Sequence, residues 1–305
     1  MTNTRNFAVN QHAKTIVNRS VFVSGSARSG TTIMGKYIGS LKNYEYYFEP
    51  PMLFQILADA DNLPPKIFRR MLITYLYEDL FCGSISGRNL NFRAEDDTYI
   101  YNIKSRNEIE NRLTGNFRKS MLKENYSRLA FKIPDFVYRE KLYQNIFPQS
   151  KIIRMVRDPS ETISSLIKKA WFSSENIIRD DIVWPNEKYP NGFVPHFVPE
   201  QYKHEWTKLT EIDRCLVYYK SQTPYYTPSE KSLIVRYSDL LYELSKVTRS
   251  VHNFLEASET EASDSILGSI SSQDSTSKQN FNSASAELLR QAFDSYESYP
   301  KITCS

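Results

Sequence analysis

Residues 24–32 combine two glycines, an arginine and several hydroxyl side chains directly after the apolar run at 21–23. A strand, a glycine loop and a helix start in this order point backbone N–H groups and the helix dipole at one bound anion. Gly25 and Gly30 have the spacing of a Walker A loop, but Thr31 stands where a lysine would grip a nucleoside triphosphate. A turn without a ligand would also need the glycines, but it would not need Arg28 and the paired threonines. The loop therefore predicts a phosphate site.

Charged side chains also follow the next three predicted strands. Glu49 comes after an aromatic strand, Lys132 lies near the end of the third strand, and Arg157 follows the fourth. Ligands of open parallel sheets bind outside the carboxyl ends of the strands, so these side chains should lie near Arg28. Three cations and one carboxylate at one edge predict an anion site with a single acid–base group.

The elements that position these residues alternate between strands and helices. The pattern predicts strands at 20–24, 44–48, 129–134, 150–156 and 232–236. It predicts helices at 30–41, 66–81, 107–125, 138–147, 159–169, 201–222, 238–255 and 284–294, with Asp158 as N-cap, Pro159 at the first helical position and Glu161 as capping-box partner. We interpret 82–106 as a loop or lid, 171–200 as an irregular insertion and 256–280 as a flexible segment. The predicted fold class is α/β: a P-loop-like, mostly parallel five-stranded sheet flanked by helices.

Composition limits the class of protein. The chain has 305 residues, 40% of them hydrophobic, and 39 basic against 35 acidic residues leave a net charge of +4. That charge is too small to predict nucleic-acid binding, and no apolar run is long enough to cross a membrane. Three widely spaced cysteines fit a reducing, cytoplasmic location. We predict an N-terminal polar segment at 1–19, without a signal-peptide core, and a single domain at 20–305 with an inserted acceptor region at about 171–200.

Two motifs resemble those of the sulfotransferases that depend on 3′-phosphoadenosine 5′-phosphosulfate (PAPS). The family's 3′-phosphate motif is an arginine at a strand end with a serine eight residues later, here Arg157 and Ser165. Glu49 precedes Pro50 and lies 21 residues after Arg28, the spacing seen in the carbohydrate and tyrosylprotein branches. The family's phosphosulfate loop is similar to residues 25–32, which include Ser26, Ala27, Arg28, Ser29, Gly30, Thr31 and Thr32.

The resemblance implies a role for each matched residue. The loop residues would hold the 5′-phosphosulfate, and Arg157 and Ser165 the 3′-phosphate. Glu49 would be the general base, while Arg28 and Lys132 would neutralise charge on the transferring group. Other implied nucleotide contacts are Tyr237 after the fifth strand and, in a Ser-rich stretch with Ser275 and Ser277, Lys278. The implied co-substrate is PAPS, without a metal, and the Glu-Pro pattern favours a saccharide hydroxyl as acceptor.

The chain departs from the small-molecule branch of that family, which places a catalytic histidine after the third strand. Ile133 and Pro134 follow Lys132 here, and of the four histidines only His196 and His204 lie in or beside the insertion. A peptide or a small alcohol remains an alternative acceptor. A kinase on a related P-loop fold and a non-catalytic nucleotide-binding protein remain alternative functions, and the sequence leaves the oligomeric state open.

Overall fold

A parallel sheet forms the centre of the chain in a computed structural model. The structure describes residues 8–115, 118, 122, 128–179, 185–190, 192–270, 281 and 283–302. Its strands are β1 Val21–Gly25, β2 Tyr44–Phe48, β3 Arg128–Lys132, β4 Lys151–Val156, β5 Asn186–Tyr189, β6 Gly192–Pro195 and β7 Ser232–Arg236. Within the described residues, β2, β3, β1, β4 and β7 form one sheet in that order, and every neighbouring pair is parallel. The predicted fold class is confirmed.

Helices cover both faces of the sheet. They are α1 Gln11–Asn18, α2 Thr31–Ser40, α3 Pro51–Ala58, α4 Pro65–Thr74, α5 Cys82–Ile85, α6 Arg106–Thr114, α7 Glu140–Ile146, α8 Pro159–Lys168, α9 Glu200–Lys203, α10 Glu211–Gln222, α11 Tyr237–Tyr242, α12 Leu244–Leu255, α13 Glu261–Gly268 and α14 Ala286–Glu297. Alternate strand residues face opposite ways: Phe22 packs with α1, α3 and α4, whereas Val21 and Val23 pack with α2 and α12. Because both faces are covered, most strand residues are apolar and buried.

The N-terminal polar segment contains a helix that the sequence analysis did not predict. In α1, Ala13, Ile16 and Val17 are buried against the face that also holds Phe22. These three positions are three and four residues apart, so they lie on one side of a helix. The polar composition of residues 1–19 concealed that short apolar stripe.

Several predicted boundaries were wrong for local reasons. The predicted loop at 82–106 contains α5 and buries Ile103 and Lys104. The predicted helix at 201–222 is divided because Thr210 begins α10 as its N-cap, with its side chain accepting from the Asp213 N–H. Residues 261–268 of the predicted flexible segment form α13, whose N-cap is Thr260. The helix predicted at 107–125 is described as Arg106–Thr114, and most of 116–127 lies outside the described residues.

Two further elements bear on the site. A π-helix at Tyr75–Phe81 continues α4, and β5 and β6 form an antiparallel hairpin within the predicted insertion. Among the residues that the structure describes, no helix has the length and apolar character to span a membrane.

Candidate active site

The predicted phosphate loop connects β1 to α2. Gly25 and Gly30 both have positive φ, at 128° and 90°, which glycine adopts without strain. A Cβ at Gly30 would lie 2.6 Å from the Tyr237 ring, so the loop also needs glycine for close packing. Gly30 is the N-cap of α2 and has no side-chain capping bond, which leaves the first N–H groups of this ten-residue helix directed out of its N-terminus.

A buried tyrosine on α10 holds this loop. The Tyr218 hydroxyl accepts a hydrogen bond of 2.6 Å from the Ala27 N–H and donates to the carboxylate of Asp135. Burial, followed by the charge of Asp135, raises the pKa of Tyr218, so the hydroxyl keeps its proton. Asp135 lies three residues after Lys132. Tyr218 therefore ties the phosphate loop to the segment that follows β3, and the Ala27 amide is already engaged.

The residues of the two predicted phosphate motifs are in direct contact. Arg28 Nε donates to Ser165 Oγ at 3.0 Å, and Arg157 Nη1 donates to the Arg28 carbonyl at 3.0 Å. The Arg157 guanidinium lies 4.4 Å from the centre of the Tyr237 ring. Its Nε donates to Glu161 at 2.8 Å. The prediction of Glu161 as capping-box partner was wrong, because its carboxylate lies in the first turn of α8 and pairs with Arg157 instead. Four residues that the sequence predicted to bind the nucleotide thus form one cluster.

Arg157 is fixed from its backbone as well as from its side chain. The hydroxyl of Tyr219 on α10 donates to the Arg157 carbonyl at 2.7 Å. Asp158 accepts from the N–H groups of Ser160 and Glu161, which confirms it as the N-cap of α8 with Pro159 at the first helical position. The strand end and the helix start that carry Arg157 and Ser165 are therefore rigidly joined.

Glu49 and Lys132 form an ion pair at the ends of the neighbouring strands β2 and β3. The Lys132 side chain is 5% exposed and the Glu49 side chain 31%, so the carboxylate reaches solvent while the ammonium is enclosed. Lys132 Nζ also lies 4.6 Å from the centre of the Phe48 ring, and the Glu49 N–H donates to the Lys132 carbonyl at 2.9 Å. The pair provides a carboxylate and an ammonium side by side.

Three residues just beyond the carboxyl ends of neighbouring strands have left-handed backbones. They are Arg28 (φ 69°), Glu49 (φ 44°) and Asp135 (φ 73°), which follow β1, β2 and β3. Each such conformation costs about 1–3 kcal/mol for a residue with a side chain, and such residues concentrate at functional sites. Three of the six non-glycine residues with positive φ in the described part of the chain thus lie at the edge of the sheet that the sequence predicted as the site.

Two histidines lie in or beside the insertion, and only one packs near this edge. The His196 ring stacks on Phe136 at 4.3 Å between ring centres, and its Nδ1 is 2.9 Å from the Tyr138 hydroxyl. Burial, with a smaller effect of the Arg139 charge, lowers the pKa of His196 to about 3. At neutral pH it is therefore a weak proton acceptor. His204 packs edge-on against Tyr189 in the hairpin.

Sequence reasoning did not find Tyr218, Asp135 or Tyr219. Tyr218 and Tyr219 belong to the apolar pattern of a buried helix, and nothing in that pattern distinguishes a hydroxyl that reaches the loop. Lys278, Ser275 and Ser277 lie outside the described residues. Within the parts of the chain that the structure covers, no group of three or more His, Cys, Asp or Glu side chains could hold a metal ion.

Comparison with known proteins gives the family. A sequence model described as "Sulfotransferase family" matches residues 20–261, which include the loop, both strand-end motifs and Tyr237. The chain belongs to the sulfotransferase family. Membership supports sulfuryl transfer as the general activity and a transferase as the class of enzyme. No curated protein matches the chain by sequence.

Solved sulfotransferases are distant from this chain. The sulfotransferase domain from the Synechococcus PCC 7002 olefin synthase is 13% identical, with a TM-score of 0.39, over 93% of this chain and 89% of that one. The sulfotransferase domain from the curacin biosynthetic pathway is 17% identical, with a TM-score of 0.43, and the match covers 92% of this chain and 98% of that domain. Sulfotransferase STF9 from Mycobacterium avium is 12% identical, with a TM-score of 0.45, and the match covers 93% of this chain and 78% of STF9. Membership therefore rests on the family model.

Proposed function

We propose that this sulfotransferase moves a sulfuryl group from PAPS to an acceptor hydroxyl, with Glu49 as general base. One observation carries the proposal. The two predicted phosphate motifs, 129 residues apart along the chain, meet through the Arg157–Arg28 hydrogen bond. A nucleotide with phosphates at both the 5′ and 3′ positions requires two such anion sites at a fixed separation.

The first anion site would hold the 5′-phosphosulfate. The uncapped N-terminus of α2 supplies the N–H groups of Thr31 and Thr32, and the loop from Ser26 to Gly30 supplies the turn around the anion. Ser29 uses its own hydroxyl within the loop, where it donates to the Ser26 carbonyl at 2.6 Å. The Ala27 amide positions the loop through Tyr218. Backbone donors of this kind stabilise charge without reorganising during the reaction.

The second site would hold the 3′-phosphate. Arg157 and Ser165 come from the end of β4 and from α8, and Arg28 already contacts Ser165. Tyr237 supports the guanidinium through its ring face. Lys278 remains part of this proposal on the resemblance alone.

The chemical step needs a proton acceptor and charge stabilisation. Glu49 would take the proton as the acceptor oxygen forms its bond to sulfur. At the same time the bond from sulfur to the phosphate oxygen breaks, and that oxygen leaves with the negative charge. Lys132 and Arg28 would stabilise the charge on the transferring group and on the departing phosphate. No group in this sequence of events has to change oxidation state. We propose a saccharide hydroxyl as acceptor, as the Glu-Pro pattern favours.

Two measurements test the proposal. In thermal-shift titrations, adenosine 3′,5′-bisphosphate should raise the melting temperature at concentrations where ATP with magnesium does not. PAPS turnover, followed as acceptor-dependent release of adenosine 3′,5′-bisphosphate over a panel of hydroxyl compounds, should then identify a substrate. Preference for ATP with magnesium would contradict the proposal in favour of a kinase. Binding of the bisphosphate without turnover of any acceptor would favour a non-catalytic protein.

A further inference from the structure

An apolar groove lies on the surface along α3, the helix that follows the proposed base in the chain. It has a volume of about 500 Å³ and lies between α3 and the end of α4. The apolar residues that line it are Met52, Ile56, Met71 and Tyr75, and the other lining residues are polar or charged. Met52 is 54% exposed and Met71 38% exposed. Methionine side chains adapt to apolar ligands of differing shape. Two exposed methionines in one groove leave apolar surface available to a ligand.

The groove begins close to Glu49. Met52 is three residues after Glu49, so their Cα atoms are at most about 11 Å apart. Met52 and Ile56 are four residues apart on α3 and therefore share one face of the helix. The groove thus runs along α3 away from the carboxyl end of β2, for about 6 Å between these two side chains.

Tyr75 connects the groove to the strand that leads into Glu49. It is the first residue of the π-helix and lines both the groove and a second cavity of about 200 Å³, which is also lined by Phe48 and Pro50. Burial, followed by the charge of Asp79, raises the pKa of Tyr75, and the Met52 backbone at the start of α3 partly opposes the rise. Single π-helical turns within α-helices occur frequently at functional sites.

We propose that this groove binds an apolar chain of the acceptor while the reacting hydroxyl faces Glu49. The acceptor is then amphiphilic: a hydroxyl compound, and on the proposed function a saccharide, that carries an alkyl or similar apolar substituent. This inference rests on the proposed function and deepens it. The occupant is a part of the acceptor because Met52 of the groove lies three residues after the predicted base and Tyr75 lines both the groove and the cavity against β2.

The test is a homologous series of methyl, butyl and hexyl β-D-glucosides, each below its critical micelle concentration. Full burial of one methylene changes affinity about fourfold, and burial of about half its surface in an open groove changes it about twofold. Hexyl glucoside should therefore bind roughly thirtyfold more tightly than methyl glucoside. Binding is measured by NMR titration in the presence of adenosine 3′,5′-bisphosphate, and turnover of the same compounds is measured separately with PAPS.

Two variants test whether the dependence of affinity on alkyl chain length arises in the groove. Met71→Gln keeps the size of the side chain and a good helix former but removes its apolar character, so it should reduce the hexyl-to-methyl affinity ratio severalfold. Leu113→Gln changes another exposed apolar residue, 51% exposed on α6, and should leave that ratio unchanged.

The outcomes separate the two proposals. Equal affinities across the series in the unsubstituted protein would overturn the groove assignment, whatever the turnover. A Met71→Gln protein that keeps the full ratio would overturn it as well. A shift from dimer to monomer on Met71→Gln in sedimentation, without a change in the ratio, would assign the groove to a second copy of the chain. Suppose that affinity rises with alkyl chain length but that neither the glucosides nor any compound of the wider acceptor panel is turned over. That result would support the groove as a binding site for an apolar chain and contradict the proposed function.

Discussion

The hydroxyl of Tyr218 lies 2.6 Å from the backbone nitrogen of Ala27 and donates to the carboxylate of Asp135. One side chain on α10 thus joins the loop after β1 to the segment after β3. The loop is the predicted phosphosulfate site, and the segment after β3 begins next to Lys132. This buried hydroxyl therefore adds a side-chain link between the two segments to the parallel pairing of β1 with β3.

Replacing Tyr218 by phenylalanine should weaken donor binding. The change leaves the Ala27 N–H and the Asp135 carboxylate without this partner, which costs about 1–3 kcal/mol of stability. Tyr143→Phe is the matched control, because the Tyr143 hydroxyl makes a buried 2.7 Å hydrogen bond to Ser20 at the amino end of β1. Both variants should have a lower melting temperature than the unsubstituted protein. Only Tyr218→Phe should also lose affinity for adenosine 3′,5′-bisphosphate in a calorimetric titration. Equal affinity in the two variants would assign Tyr218 a purely structural role.

Arg157→Ala should remove discrimination for the 3′-phosphate. A charge-assisted contact is worth roughly 1.5–3 kcal/mol, so the unsubstituted protein should prefer adenosine 3′,5′-bisphosphate to AMP by about ten- to a hundredfold. The variant should bind both nucleotides alike while retaining its circular dichroism spectrum. Arg290→Ala is the control, because Arg290 pairs with Glu287 and Asp294 on the exposed face of α14. If AMP binds the unsubstituted protein as tightly as the bisphosphate, the 3′-phosphate assignment is wrong.

Glu49→Gln should slow turnover by about 10²–10⁴-fold, the usual contribution of a positioned general base. The amide keeps the size of the side chain but cannot take a proton, so donor affinity should change much less than kcat. Glu256→Gln serves as a control, since Glu256 pairs with Lys151 at the amino end of β4. Near-normal turnover of Glu49→Gln, measured where chemistry limits the rate, would place the base elsewhere.

Lys132→Met should reduce kcat more than it reduces donor affinity. The ammonium is buried beside Glu49, where it would stabilise charge that develops during transfer. Methionine fills most of the volume of the lysine stem, so the strand end should keep its packing. Single-turnover rates and titration with adenosine 3′,5′-bisphosphate separate the two effects. A variant that loses only affinity would make Lys132 a binding residue.

His196 should make stability fall in acid. Its pKa is depressed from the ordinary 6.5 to about 3 by burial and by the Arg139 charge, so the unfolded chain binds a proton that the folded chain excludes. This contribution to stability is complete above pH 6.5 and is lost progressively as the pH falls towards 3. His196→Phe should keep the stacking on Phe136 and flatten the stability profile between pH 6.5 and 4 in urea titrations. An unchanged profile would show that His196 takes up its proton as readily in the folded chain as in the unfolded chain.

The local sequence pattern was sufficient to predict the sheet and to predict which residues lie at its carboxyl edge. A β-branched strand followed by a glycine loop and a helix start determines its own geometry within a dozen residues. Glu49, Lys132 and Arg157 were found because a parallel sheet brings strand ends to one edge, whatever the intervening sequence. The same reasoning could not detect α1, whose three buried residues occupy one side of an otherwise polar helix.

Contacts between distant parts of the chain required the tertiary structure. Ala27 and Tyr218 are 191 residues apart, and the sequence of α10 does not show which of its tyrosines reaches the loop. The groove likewise depends on how α3 packs against α4, which places Met52 and Tyr75 in the same lining. Side-chain direction across such a distance is set by the packing of whole helices. Local sequence patterns carry the period of each helix but not the angle and depth at which it meets its neighbours.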